Sequence, residues 1–157
     1  MQPKNVTVNV NGREHRVTLA PNVTLLRALR NLGYTDVKNG CEKGDCGACA
    51  VLLDGRAVNS CLVLAWQAGP ARIITNAGLG SMDNPHSLQE AFAETGAAQC
   101  GYCTPGMIIA AKALLDRTPH PEEEEVREAL SGNLCRCTGY GPIIEAVQTA
   151  AAPGSGA

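Results

Sequence analysis

Eight cysteines constrain this 157-residue chain more than any other feature. They fall into two sets of four. Cys41, Cys46 and Cys49 read C-x4-C-x2-C, with Cys61 following at a distance. Cys100 and Cys103 read C-x2-C, and Cys135 and Cys137 read C-x-C. Thiolates in such sets are the donors of soft metal centres. Any fold of the chain must close each set on itself, and no cysteine is left over.

The first spacing is that of plant-type 2Fe–2S ferredoxins. A binuclear cluster takes four thiolates, so eight cysteines suit two 2Fe–2S clusters. Other chemistries fit less well. Four disulfides would suit a secreted chain, but residues 1–20 contain no apolar signal-peptide core. Three thiols within residues 41–49 are also too crowded for independent bridges. The expectation is a cytoplasmic chain with reduced thiols, although export with a signal-bearing partner stays open. The second set alone would also serve a structural zinc; beside a plant-type loop, a second cluster is the better reading. A Rieske centre needs two His ligands. His15, His86 and His120 stand at no ligand spacing from a cysteine and read as solvated surface or loop residues. The C-x2-C-x2-C-x3-C-P run of 4Fe–4S proteins is absent.

The loop GCEKGDCGAC places Gly40, Gly44 and Gly47 among the first thiols. Converging three thiolates on one small core wraps the backbone tightly, and glycine tolerates the positive φ angles this demands. It also lets backbone N–H groups approach sulfur, where they offset cluster charge and tune its potential.

Around these motifs the chain divides by periodicity. Val6, Val8 and Val10 alternate with polar residues, which predicts a half-buried strand. Asn11-Gly12 then predicts a hairpin, with Val17 and Leu19 on the returning strand. Leu25, Ala28, Leu29 and Leu32 fall at helical spacing, with Asn22 or Thr24 as cap and Gly33 as stop. Residues 48–53, Asp54-Gly55 and 56–59 form a second hairpin, and 71–75 a short strand. This is a small mixed sheet crossed by a helix, the β-grasp shape of a plant-type ferredoxin.

From about residue 76 helical periodicity takes over. Residues 76–85 are rich in turn formers and read as a linker. Helices are expected over 87–95, around Met107–Leu115, around Val126–Leu130 reaching Leu134, and around Ile143–Ala151. Glu122 to Glu125 suit the first turn of the third of these, where negative charge favours the helix dipole. The reading is an α+β fold: a β-grasp domain over 1–76, a four-helix bundle over 77–151, and a flexible tail over 152–157. Cys103-Thr104-Pro105 and Cys137-Thr138 each lead into a helix, with Thr104 as N-cap and Pro105 opening the turn. Unpaired N–H groups and the positive dipole end would then face an anionic cluster.

Composition excludes several classes. The net charge is −2, no basic run is present and aromatics are 3 % of residues, which argues against nucleic acid as a partner. No apolar run approaches the ~20 residues of a membrane span. The segment GLGSMD at 78–83 lacks the third glycine of a dinucleotide loop and opens no strong helix.

CEKGDCGAC with Cys61, then QCGYCTPGMI at 99–108, then NLCRCTGYGPI at 133–143, closely resemble the small iron–sulfur subunit of the molybdenum hydroxylases, the xanthine oxidase/aldehyde oxidoreductase family. The resemblance covers about residues 4–150, with no departure at the eight cysteine positions. It implies a β-grasp domain followed by a four-helix domain. It implies a large partner subunit carrying molybdopterin, often as the cytosine dinucleotide, and in many members a medium FAD subunit, sometimes as a dimer of heterotrimers. The Cys100/Cys103/Cys135/Cys137 cluster would lie nearer molybdenum, and the Cys41/Cys46/Cys49/Cys61 cluster nearer flavin or solvent. Gln99 and Cys137 match positions that approach the pterin in relatives.

The function expected is electron relay, with substrate chemistry on the partner. No group here reads as a catalytic acid, base or nucleophile. A free-standing two-cluster carrier and a zinc- or disulfide-stapled interaction module remain the alternatives.

Overall fold

The alternation of Val6, Val8 and Val10 forms strand β1 (Lys4–Val10), paired antiparallel with β2 (Arg13–Leu19). The turn between them has positive φ at both Asn11 and Gly12, the combination that matches strand twist in a two-residue hairpin. A computed structural model of the chain describes residues 2–152. Apart from Ala152, the expected tail lies outside the described residues.

Helix α1 (Leu25–Asn31) starts at Thr24, whose hydroxyl accepts from the Arg27 amide; Asn22 is not its cap. Strands β3 (Ala50–Leu53) and β4 (Arg56–Asn59) form the second hairpin, and β5 (Arg72–Ile74) closes the sheet. The strand order is β2-β1-β5-β3-β4, with β1–β5 parallel and the other pairs antiparallel. Leu25, Leu26 and Leu29 of α1 pack with Val6, Val8, Val10, Val51 and Ile73, so the helix covers one sheet face.

The second half holds α2 (Ser87–Glu94), α3 (Thr104–Leu115), α4 (Glu123–Leu130) and α5 (Gly141–Ala151). One apolar cluster, including Leu88, Phe92, Met107, Val126, Leu130, Ile143 and Val147, joins all four. Ala50 and Leu52 point away from α1 and pack against Ile109 and Ala113 of α3. Period-two alternation along β3 therefore feeds two cores, one on each face.

Several expectations shift. Helix α4 ends at Leu130, and Leu134 is exposed rather than part of its stripe. The N-cap of α3 is Cys103, so Thr104 lies inside the first turn, and its hydroxyl is buried without a partner among the described residues. The segment after residue 76 contains a short 3-10 turn (Asn76–Gly78), held by the Gln89 side chain donating to the Asn76 carbonyl. His86 lies in the loop just before α2, and its ring caps that helix. His15 is likewise engaged, 2.8 Å from the Tyr34 hydroxyl. No helix among the described residues is long and apolar enough to cross a membrane.

Candidate metal centres

The first four thiols come from three places around one end of the sheet. Cys41 and Cys46 lie on the loop from α1 to β3, Cys49 immediately precedes β3, and Cys61 sits in a 3-10 turn (Ser60–Leu62) after β4. Cys49 and Cys61 are buried, while Cys41 and Cys46 are partly exposed. The loop reaches this shape through positive φ at Gly44 and Gly47, and also at Glu42. Glu42 carries no glycine signal; Arg27 and Asn39 hold its carboxylate at 2.9 and 2.8 Å. Gly40 is needed for space rather than dihedral freedom. A Cβ there would stand 2.7 Å from the Cys46 sulfur.

Cys41 neighbours Cys46 and Cys49 neighbours Cys61, close enough that Cys46 acts on the Cys41 thiol and Cys49 on the Cys61 thiol. Backbone N–H groups converge on the sulfurs as well. The Lys43 amide donates to Cys41 at 3.4 Å. That amide, followed by the amide and thiol of Cys46, lowers the Cys41 thiol to about 7. Burial, then the neighbouring Cys49, pushes Cys61 up to about 11.

The second set repeats the pairing. The Cys137 and Cys100 sulfurs are 3.6 Å apart and both exposed. Cys103 pairs with Cys135 further inside. Burial, then Cys135, pushes Cys103 up to about 12. At Cys135 burial acts upward but is outweighed by the Thr138 hydroxyl, 3.2 Å from the sulfur, and by the Thr138 and Cys137 amides, which bring the thiol down to about 7. The Tyr140 hydroxyl accepts from the Cys135 amide at 3.0 Å and donates to the Asn133 carbonyl at 3.1 Å. Tyr140 itself has φ +69°, unusual for a bulky residue, and leads into α5.

Among the described residues no three His, Cys, Asp or Glu side chains gather closely enough to hold a single metal ion. Each set instead offers two thiol pairs, with N–H donors facing the sulfurs. That donor chemistry fits a binuclear iron–sulfur centre, where each iron takes two protein ligands. Gln99 is exposed on the bend before Cys100. A surface groove of about 550 Å³ between the β3–β4 hairpin and α3 contains no cysteine.

The two sets meet. The Leu134 amide donates to the Cys46 carbonyl at 3.0 Å, and the buried Asn133 side chain donates to the Gly47 carbonyl at 3.1 Å. Sequence reading missed Asn133, Leu134 and Tyr140. The partners of Asn133 and Leu134 on the first loop lie far away along the chain, while Tyr140 bonds within its own segment, to the Cys135 amide and the Asn133 carbonyl; local periodicity carries no signal of either kind of contact.

Residues 8–72 match a family model described as a 2Fe-2S iron-sulfur cluster binding domain, and residues 75–148 one described as a 2Fe-2S binding domain. The chain is 51 % identical over 146 residues to the nicotinate dehydrogenase small FeS subunit of Eubacterium barkeri, covering 92 % of this chain and 93 % of that one. It is 46 % identical over 149 residues to the aldehyde oxidoreductase of Megalodesulfovibrio gigas, covering 92 % of this chain but 16 % of that longer protein. Its fold resembles a chain of quinoline 2-oxidoreductase from Pseudomonas putida 86, with TM-score 0.91 and 43 % identity over 96 % of this chain and 94 % of that one.

Proposed function

Because the chain belongs to the small iron–sulfur subunits of the xanthine dehydrogenase and aldehyde oxidoreductase family of molybdenum hydroxylases, we propose that it is the electron-transfer subunit of a multi-subunit hydroxylase or dehydrogenase. The observation that carries this is the gathering of each set of thiols: Cys41, Cys46, Cys49 and Cys61 at one end of the sheet, and Cys100 and Cys137 with their sulfurs 3.6 Å apart beside Cys103 and Cys135.

In this reading Cys41, Cys46, Cys49 and Cys61 hold one 2Fe–2S cluster, and Cys100, Cys103, Cys135 and Cys137 hold another. Bound clusters supply reversible one-electron carriers. The chain's own residues set their surroundings. Amides of Lys43, Cys137 and Thr138 face the thiolates and stabilise their charge. The exposed Gln99 and Cys137 form the face toward the partner's molybdopterin, carried as the cytosine dinucleotide. The Gln99 amide can both donate to and accept from a pterin edge, and the Cys137 thiolate can accept. The first set serves the exit toward an FAD subunit or another acceptor. Residues 1–76 then act as a β-grasp domain and 77–151 as a four-helix bundle, within a cytoplasmic heterotrimer that dimerises. Substrate chemistry stays on the large subunit.

Electron paramagnetic resonance on the reduced native complex, with iron, sulfide and molybdenum quantified, tests this. Two distinct 2Fe–2S signals beside stoichiometric molybdenum are expected. Both signals without molybdenum or a large subunit would make the chain a free carrier. Zinc in place of iron would overturn the assignment. Cys103→Ser or Cys135→Ser should abolish turnover while molybdenum stays in the large subunit; normal turnover without the second cluster would sink the relay.

A further inference from the structure

The junction between the two thiol sets is built more tightly than packing alone requires. Asn133 is one of few buried polar residues, only 6 % exposed, yet it lies two positions from Cys135. Its side-chain amide donates to the Gly47 carbonyl at 3.1 Å. Gly47 lies between Cys46 and Cys49 with φ +69°, and a Cβ there would stand 2.5 Å from the Gly132 carbonyl and 2.6 Å from Asn133 Nδ2. From the other side comes Gly106, in the first turns of α3. A Cβ at Gly106 would meet the same Gly47 carbonyl at 2.5 Å and Asn133 Nδ2 at 3.1 Å. One carbonyl of the first loop is thus gripped by the C-x-C segment and by the helix that follows Cys103. The adjacent Leu134 amide donates to the Cys46 carbonyl at 3.0 Å, beside that grip.

We propose that Asn133 and Gly106 form a clamp on the Gly47 carbonyl, and that this clamp sets the spacing and electronic coupling of the two cysteine sets. The inference rests on the relay reading above. Asn133 acts through the backbone of the first loop and is a positioning residue. A buried amide without its carbonyl partner is costly to leave unmade, so the bond holds the loop at one distance. The bare Cα of Gly106 is what lets α3 approach closely enough to close the grip.

The test uses the assembled native complex carrying Asn133→Ala or, separately, Gly106→Ala. Iron content, the g-values of each cluster, the magnetic splitting between the two reduced clusters and the rate of transfer between them are measured. With both 2Fe–2S signals retained, weaker splitting and slower transfer support the clamp. Both signals retained with unchanged splitting and rate would overturn it. Loss of iron from one set would make Asn133 a strut for that set alone and would also overturn the clamp. If Asn133→Ala fails to assemble, Gly106→Ala decides by the same readings. Absence of two 2Fe–2S signals in the unmutated complex would instead be a failure of the relay reading.

Discussion

Single polar side chains tie distant backbone together throughout this molecule. Asn11 shows how one residue does two jobs. It adopts the positive φ of the first hairpin, and its side chain accepts from the Thr75 amide at 2.9 Å and donates to the Thr75 hydroxyl at 3.0 Å. Thr75 is fully buried, so its amide has no water to turn to. Asn11→Ala should therefore cost about 1–3 kcal/mol, more than an exposed turn substitution. Equilibrium urea denaturation of the holo chain checks it. A loss within experimental error of zero would show that water replaces the side chain. The AsnGly turn was legible as a hairpin signal, but the bond to Thr75 was not, because nothing near Asn11 in sequence names a partner 64 positions away.

Helix α2 carries its own signature. His86 Nδ1 accepts from the Leu88 amide at 3.2 Å, and the Gln89 side chain reaches back to the His86 amide at 3.0 Å. This capping box works only while Nδ1 is unprotonated. Burial, then the Lys112 ammonium, lowers the His86 pKa below its usual 6.5, with Asp116 acting weakly the other way. The unfolded chain therefore takes up this proton first. The cap's contribution is full above about pH 6.5 and is lost as pH falls through the lower folded value. His86→Asn keeps a capping acceptor without titrating. Its melting temperature should change less between pH 7 and 5 than that of the parent, by an amount corresponding to about 1 kcal/mol. Parallel pH profiles for the two proteins would refute the role. The sequence placed His86 at the surface or in a loop, and it does lie just before α2; its capping role was not legible, since capping by a histidine ring follows from the placement of the helix start and not from residue type.

At the scale of the whole molecule, the two halves share an apolar seam. Ile109 is fully buried in a cluster with Ala50, Leu52 and Ala113, with Ile74 and Leu79 at its edge. Ile109→Ala should cost about 2–5 kcal/mol and loosen the coupling between halves. Calorimetry should then resolve two transitions where the parent shows one. A single transition at lower temperature would mean that the clamp and the remaining seam suffice to hold the halves together. β3 presents Val51 to α1 and Leu52 to α3 on opposite faces, so this one strand belongs to both apolar clusters.

The sequence by itself determined the eight cysteines and their division into fours by spacing, the alternation of β1, the two glycine-containing hairpin turns and the apolar stripes of the last three helices. These depend on spacing and local conformational preference, which the chain states directly. Only the tertiary structure decided that the thiols stand in pairs, that α3 begins at Cys103 rather than Thr104, that Leu134 leaves the helix and turns its amide to Cys46, and that Gly47 and Gly106 meet across Asn133. Each of these is a close contact between segments remote in the chain. Their geometry is set by which backbones can approach to hydrogen-bonding distance once both cores have packed.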